Sequence, residues 1–523
     1  MGLNNILKGI QPVVFWVSVA FLVLFSLFGA LFTETAAQTF NSVQGFFVDN
    51  FDWFYVLAAT GCLIFIIWLV FSRFSHIRLG KPGSRPEFSN ASWFSMLFSA
   101  GMGIGLVYWG VAEPLLHYLD PPTADPGTGA ALRESMRATF FHWGLHPWAI
   151  YAVIGLPLAY FHFRHDLPMT PSSIFYPLLG ERVRGPIGFA IDILTVVATV
   201  FGIATSLGLG VLQVNTGLNL VFGMPQTRLI QMILIAVITF IATISVVTGL
   251  RGGVKRLSEI NIGLAGLLML FVFLLGPTVY IMDVLVSTTG DYLQNLISIS
   301  FWVNPDPTST WQSSWTLFYW GWWISWAPFV GIFIARISKG RTIREFILGV
   351  MLVPTAVTFI WFSVFGGAGL FEELFGTVDL ALITQQDETL GLFTLLSTLP
   401  LEVVTSLIAT LVIVLFFITS SDSGSLVVDA ITSGGTGSGP VVRRVFWAVA
   451  VGGIAAVLLL TGGLNALQTA AIATGFPMAI LMLAMIVASL RGFQADMRVG
   501  GPKEVPTLAQ LRGEGLPEEK QEN

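Results

Sequence analysis

Residues 99–105 read SAGMGIG, and they sit in the middle of an apolar run long enough to cross a membrane. Three glycines at alternate positions, Gly101, Gly103 and Gly105, each weaken a helix by about 1 kcal/mol relative to alanine. They also let another backbone, or a ligand, come close. A tight contact between two helices is one reading of the stretch. An unwound segment that binds something is the other. The choice depends on what the rest of the chain places at the same depth.

The totals fix the setting. The chain has 523 residues, of which 54% are hydrophobic and 11% charged, with a mean hydropathy of +0.79. A soluble globular chain carries about 25% charged residues. The composition is that of a polytopic membrane protein, and the net charge of −5 offers no basic face for nucleic acid. Cys62 is the single cysteine, so an intramolecular disulfide and a cysteine-based metal cluster are excluded. It lies in an apolar run and reads as a small buried hydrophobe. The first apolar run, Val13 to Phe32, is a full span rather than the short core of a signal peptide.

Apolar runs of membrane-crossing length predict twelve transmembrane helices, at 12–33, 52–72, 92–117, 139–162, 188–213, 228–249, 258–287, 316–337, 345–371, 401–430, 444–462 and 467–490. Charge supports the count. With the N-terminus in the cytoplasm, 22 of the 25 Lys and Arg fall on the cytoplasmic side, and only Arg133, Arg137 and Arg228 fall outside. That asymmetry follows the positive-inside rule and places both ends of the chain in the cytoplasm. A short N-terminus (1–11) and a polar tail (491–523) flank the membrane part, and the tail reads as disordered. The segment 288–315 is external, and DYLQNLISISF within it reads as an amphipathic helix lying on the membrane surface.

The eighth span carries Pro328 and Gly331, which predict a second interrupted helix. Two interrupted spans at corresponding positions of two halves point to a transporter binding site. The third span opens a set of five (91–287) and the eighth opens another (316–490). Five is odd, so the second set runs inverted relative to the first. The fold class is therefore all-α, an inverted repeat of five plus five helices, with two peripheral helices in 12–90.

The eighth span also holds FYWGWWISWAP (318–328). At 100° per residue, Trp315, Tyr319, Trp322, Trp323 and Trp326 share one arc of about 100°, with Trp320 alone off it. An interfacial belt would gather aromatics at one depth, not along three turns of one face. HWGLHPWAIY in the fourth span adds Trp143, Trp148 and Tyr151. Two such faces form either a packed aromatic core or a cage. A quaternary ammonium suits a cage, because its diffuse charge is drawn to indole faces and it offers no N–H to a hydrogen-bond acceptor. The eighth span has no Asp or Glu to hold a cation more tightly.

Four stretches, AGMGIGLVYWGVAEPLLHY (100–118), FHWGLHPWAIY (141–151), FYWGWWISWAPFVGIFIARISKGRTIREF (318–346) and FFITSSDSGS (416–425), resemble the betaine/choline/carnitine transporter family. The resemblance covers nearly the whole chain. It implies a LeuT-like core formed by spans three to twelve, a homotrimer and a location in the inner membrane of a prokaryote. It places the central aromatic box on Trp322, Trp323, Trp326 and Tyr151. The outer aromatics fall on Trp143, Trp148 and Phe318, with Trp315 and Trp320 beside them. The glycine-rich unwound stretch falls on Gly101, Met102, Gly103 and Gly105, and Met102 is the residue of betaine-type, sodium-coupled members.

The resemblance further implies sodium as the coupling ion and no other cofactor. One sodium site falls on the carbonyls of Ser99, Met102 and Phe416 and the hydroxyls of Thr419 and Ser420. Without the resemblance, those two hydroxyls read equally well as bonded back to their own helix. A second site would use Thr199, with Phe329 and Tyr151 around it. The position one turn beyond Thr199 is Ile203, which lacks the oxygen the family has there, leaving Thr205 or a backbone carbonyl to substitute.

The implied function is sodium-coupled import of a quaternary-ammonium or sulfonium zwitterion, glycine betaine first, for osmoprotection or nutrition. Proton-coupled choline transport, sodium-independent exchange, and a binding-only sensor or channel are the alternatives. An enzyme is not expected, since no paired acids, Ser–His arrangement or Cys/His metal spacing lies in the spans. Glu113 reads as a structural partner or a proton carrier. His142 and His146, one turn apart, have no evident third metal ligand. Asp422 reads as a structural or gating acid. Arg336, Lys339, Arg341 and Arg344 read as topology anchors that could also meet the tail or anionic lipid.

Overall fold

Inside a bilayer the backbone has no water to bond with, so the chain must satisfy its own N–H and C=O groups. In the computed structural model, which describes residues 9–101, 103–248, 255–306, 308–435, 439–500 and 503–514, helices do this alone. Among the described residues no strand forms beyond one isolated bridge between Arg78 and Thr342. The long helices are α1 (Pro12–Leu31), α2 (Thr33–Phe71), α3 (Asn90–Gly101), α4 (Ile104–Leu119), α5 (Gly129–Trp143), α6 (Leu145–His165) and α7 (Pro186–Phe222). They continue as α8 (Arg228–Thr248), α9 (Lys255–Leu275), α10 (Thr278–Ser300), α11 (Phe318–Ile337), α12 (Ile343–Phe375), α13 (Glu402–Thr432) and α14 (Val441–Val499).

Among the described residues ten helical segments are each long and apolar enough to cross a membrane. The third crossing is the broken pair α3–α4, and α14 crosses twice about a kink at Gly463, whose φ of 59° glycine adopts freely. Twelve crossings result. The two sets of five pack reciprocally. The first helix of each set lies on the second of the other, α4 on α12 and α11 on α6, and the third members α7 and α13 pack on each other. A two-fold relation between inverted halves produces this exchange.

Four expectations are corrected. The eighth span is not interrupted: α11 runs unbroken through Pro328. A proline removes one helical hydrogen bond, and close packing on neighbouring helices holds the turn in place. Gly331 serves this packing rather than a break, since a Cβ there would stand 3.1 Å from Gly155 N on α6. The irregularity lies earlier, in a π-helical turn at Ser313–Leu317, which takes Trp315 off the regular helical arc. The external amphipathic helix starts at Thr278, directly after Pro277 ends the seventh span, and packs on α5 and α12. The tail is not wholly unstructured. α14 continues to Val499, and within 503–514 the Glu504 carbonyl accepts from Arg164 Nη2 at 2.6 Å.

The face that carries most of the arginines is fastened by them. Arg164 is fully buried and grips Asp496 with Nε and Nη2 at 2.7 and 2.8 Å, while Tyr160 reaches the same carboxylate at 3.1 Å. Arg443 pairs with Asp429. Arg341 bonds Asn90 and lies 4.4 Å above the Trp93 ring. Arg341, one of the residues that read as topology anchors, therefore also ties chain segments together.

α11 is central, and its approach to α14 depends on missing side chains. A Cβ at Gly321 would lie 2.7 Å from Ile472 Cα and 2.9 Å from the Ala471 carbonyl, where only backbone could give way. Overpacking of this kind costs about 1–3 kcal/mol. Gly321→Ala is expected to lower the melting temperature of the detergent-solubilised protein by several degrees. Gly453→Ala, where nothing lies within 4 Å, should leave it unchanged or slightly raised.

Candidate functional site

The break between α3 and α4 faces a cavity. Gly103, Ile104, Gly105 and Leu106 form one wall, and Trp143, Trp148, Tyr151, Trp322, Trp323 and Trp326 form the others, with Pro147, Ser206 and Thr358 between. The two aromatic faces expected from the sequence thus close on one space. Trp322 and Trp323 stack with centroids 4.7 Å apart and planes at 13°. Trp143 crosses Trp323 at 71° and 4.8 Å, and Trp148 meets Tyr151 edge-on at 5.3 Å.

Each of three indoles is fixed by its own N–H. Trp322 donates to Ser206 Oγ at 3.2 Å, Trp323 to the His142 carbonyl at 2.9 Å and Trp143 to Glu113 Oε2 at 2.7 Å. The Thr358 hydroxyl holds the Trp143 carbonyl at 3.0 Å. Tethered at their edges, the rings present faces to the cavity. The indole N–H of Trp326 is buried without a partner among the described residues. Among the described residues no Asp, Glu, Lys or Arg lines the space.

The glycine wall answers the question raised by SAGMGIG. A Cβ at Gly105 would stand 2.7 Å from Trp322 Cη2 and 2.8 Å from Trp143 Cη2, so only glycine lets the two indoles meet across α4. Gly103 sits at the N-cap of α4 and supplies no side-chain cap. The first N–H groups of any helix lack intrahelical partners and carry the positive end of its dipole. Here they open beside a cage of indoles. The cavity offers aromatic faces at one side and backbone donors at the other.

A second cavity lies beyond Trp326, which lines both. It brings together Phe416, Thr419 and Ser420 from α13 with Phe329 from α11 and Ser258 and Asn261 from α9. Thr419 Oγ1 lies 2.9 Å from the Leu415 carbonyl, bonded back to its own helix. Of the other residues expected with them, Met102 and the side chain of Ser99 lie outside the described residues. Thr199 is buried on α7 with its hydroxyl unpartnered among the described residues. Ile203 packs against Gly424 of α13. Thr205, offered as a substitute, donates its hydroxyl to the Phe201 carbonyl at 2.9 Å and lies 3.2 Å from the Leu467 carbonyl of α14.

Three aromatics stand apart from the cavity. Phe318 is fully buried behind Trp322, stacked on it at 5.3 Å and 18°. Trp315 packs on Trp109 and His117, and Trp320 faces the far side against His146 and Phe141. His146 bonds Ser300 at 3.1 Å and so does not pair with His142. Glu113, His117 and His142 do converge, with ligand-type atoms within 4.8 Å of one another. The Glu113 oxygens are taken by Trp143, Tyr319 and His142, which wires the group as a hydrogen-bond node. Sequence reading missed the tethers Ser206 and Thr358 altogether. The signal for Glu113 was present, an acid in a span one turn from His117, but its partners come from other helices.

A sequence profile of the betaine/carnitine/choline family of transporters matches residues 13–498. The chain is 45% identical to a glycine betaine transporter of Acinetobacter baylyi, over 93% of this chain and 74% of that one. It is 46% identical to the glycine betaine transporter OpuD of Bacillus subtilis, over 93% and 95%. A glycine betaine/proline/choline/ectoine transporter of Vibrio parahaemolyticus is 44% identical, over 95% and 90%.

Gly105→Ala tests the cage without removing any ring. Two rigid indoles would have to move, and the cost of overpacking, about 1–3 kcal/mol, converts to a loss of roughly 5- to 150-fold in ligand affinity. Direct binding to the purified protein, followed by tryptophan fluorescence, checks it.

Proposed function

This chain belongs to the betaine/carnitine/choline family of transporters, and on that premise we propose that it imports a small trimethylammonium or sulfonium zwitterion, glycine betaine first, coupled to sodium. One observation carries the reading: stacked indole faces and the uncapped N-terminus of α4 share one cavity. A zwitterion has a diffuse cation at one end and a carboxylate at the other. The cation suits the indoles, with each contact contributing about 0.5–2 kcal/mol. The carboxylate suits the free N–H groups of α4 and the unpartnered Trp326 N–H. A cation alone, such as choline, would leave those donors idle.

The proposed sodium site lies in the second cavity, at Phe416, Thr419 and Ser420, where carbonyl and hydroxyl oxygens gather. One sodium crossing ~100 mV releases about 2.3 kcal/mol, and a tenfold gradient adds about 1.4 kcal/mol. A zwitterion adds no electrical term, so one ion sustains accumulation of roughly 500-fold and two roughly 10⁵-fold. Ile203, packed on Gly424, takes away the oxygen a second site would use beside Thr199, which favours the smaller stoichiometry. Both chain ends are proposed to lie in the cytoplasm of a prokaryote, on the arginine-rich side of the inner membrane, with three copies of the chain assembled as a trimer. Uptake of an osmolyte is the proposed physiological role.

Labelled glycine betaine should accumulate in proteoliposomes under an inward sodium gradient and not under an equal potassium gradient at constant pH. Accumulation with potassium would sink sodium coupling and favour protons or exchange. Trp323→Leu should raise KM at least tenfold, because it removes one of the stacked faces. Thr419→Val should abolish sodium-driven uptake while glycine betaine binding persists; unchanged sodium dependence would move the ion elsewhere.

A further inference from the structure

The cage lining holds no formal charge, but one stands directly behind it. Glu113, on α4, is fully buried. Its Oε2 accepts from Trp143 Nε1 at 2.7 Å and from the Tyr319 hydroxyl. Its Oε1 meets His142 Nδ1 at 2.8 Å, and His117 Nε2 stands 3.4 Å away. A carboxylate offers about four lone-pair sites and no proton. Three hydrogen bonds fill three of the sites, with His142 donating where Nδ1 carries its proton, and the 2.7 Å indole bond has the length of a charge-assisted one.

The two rings that donate to Oε2 are coupled to the cage. Trp143 lines the cavity. Tyr319 does not, but it stacks under Trp322 at 25° and 6.2 Å and under Trp323 at 25° and 5.7 Å. A donor whose N–H or O–H points at an anion has its ring electrons pushed away from that hydrogen and into the π face. The ring then attracts a cation more strongly, as hydrogen bonds in series polarise one another. The negative charge is one ring removed from the ligand, so it strengthens the attraction without offering an oxygen that could clasp an ordinary ammonium.

We infer that Glu113 is a positioning residue that sets the cation selectivity of the cage, by orienting Trp143 and Tyr319 and charging their faces through the hydrogen bonds they donate. The inference rests on the cage reading of the function. It predicts that Glu113 matters for the positive charge of a ligand and little for its shape.

Glycine betaine and 3,3-dimethylbutanoate separate the two. They share the carboxylate and three methyl groups, and differ by a quaternary nitrogen in place of a quaternary carbon. Binding of each to the purified full-length protein, by calorimetry or tryptophan fluorescence, gives a preference ratio. A charge about one ring away, in a medium of intermediate dielectric, should change glycine betaine affinity about tenfold. Glu113→Gln is therefore expected to weaken glycine betaine about tenfold and 3,3-dimethylbutanoate less than twofold. Binding of the carbon analogue also reports that the variant is folded. Glu113→Asp keeps the charge and should keep the ratio, even if both affinities fall together. Equal losses for the two ligands in Glu113→Gln, or an unchanged ratio, would overturn the role of the charge and leave a purely packing one. If the Gln variant binds neither ligand, the Asp variant decides, since loss of the ratio there too would overturn the inference. A wild-type protein that does not distinguish the two ligands would instead overturn the cage reading itself.

Discussion

A membrane interior demands that every backbone polar group find a partner, and a helix that starts there, as α4 does at Ile104, cannot supply all of its own: Leu106 N turns back to the Gly103 carbonyl at 3.2 Å, and the N–H groups before it have no intrahelical acceptor. A helix that begins at mid-depth sets its first N–H groups against whatever lies opposite. Here that is a wall of tryptophan on α11 and α6. The other features of the site follow from the break. Gly105 must be small because two indoles press on it. α11 must stay whole through Pro328 to keep its rings in register, and its own glycines draw it against α6 and α14. The reciprocal packing of the two five-helix sets brings these elements to one place.

The indoles are held by their edges. Ser206, the His142 carbonyl and Glu113 each take one N–H, and each comes from a different helix or helix end. A ring pinned in this way loses little further freedom when a ligand arrives, so more of the interaction appears as affinity. It also has only its face left to offer, because its single hydrogen-bond donor is already engaged. Selectivity and rigidity share one cause.

Much of this was legible in the sequence, because it depended on periodicity. Twelve crossings came from run lengths and the placement of arginine. The aromatic arc came from residues three and four apart, and the structure places Trp322, Trp323, Trp326, Trp143, Trp148 and Tyr151 around one cavity. What escaped was whatever depends on contacts between helices. The tether of Trp143 joins residues 30 apart, and that of Trp322 joins residues 116 apart. Proline and glycine misled at Pro328 and Gly331, because a break and a close crossing use the same residues. The π turn at Ser313–Leu317 left no sign in composition, and Trp315 within it packs on His117 and stacks on Tyr319 rather than lining the cavity.

Trp326 belongs to both cavities, one face of a partition. A side chain shared by two compartments cannot be repositioned from one without being felt in the other. Thermodynamic linkage then requires that the influence be mutual: whatever occupancy of the second cavity adds to affinity in the first, occupancy of the first returns in equal measure. A single indole is thus enough to make two otherwise separate spaces into one two-ligand system, with no need for a signal to travel along a helix.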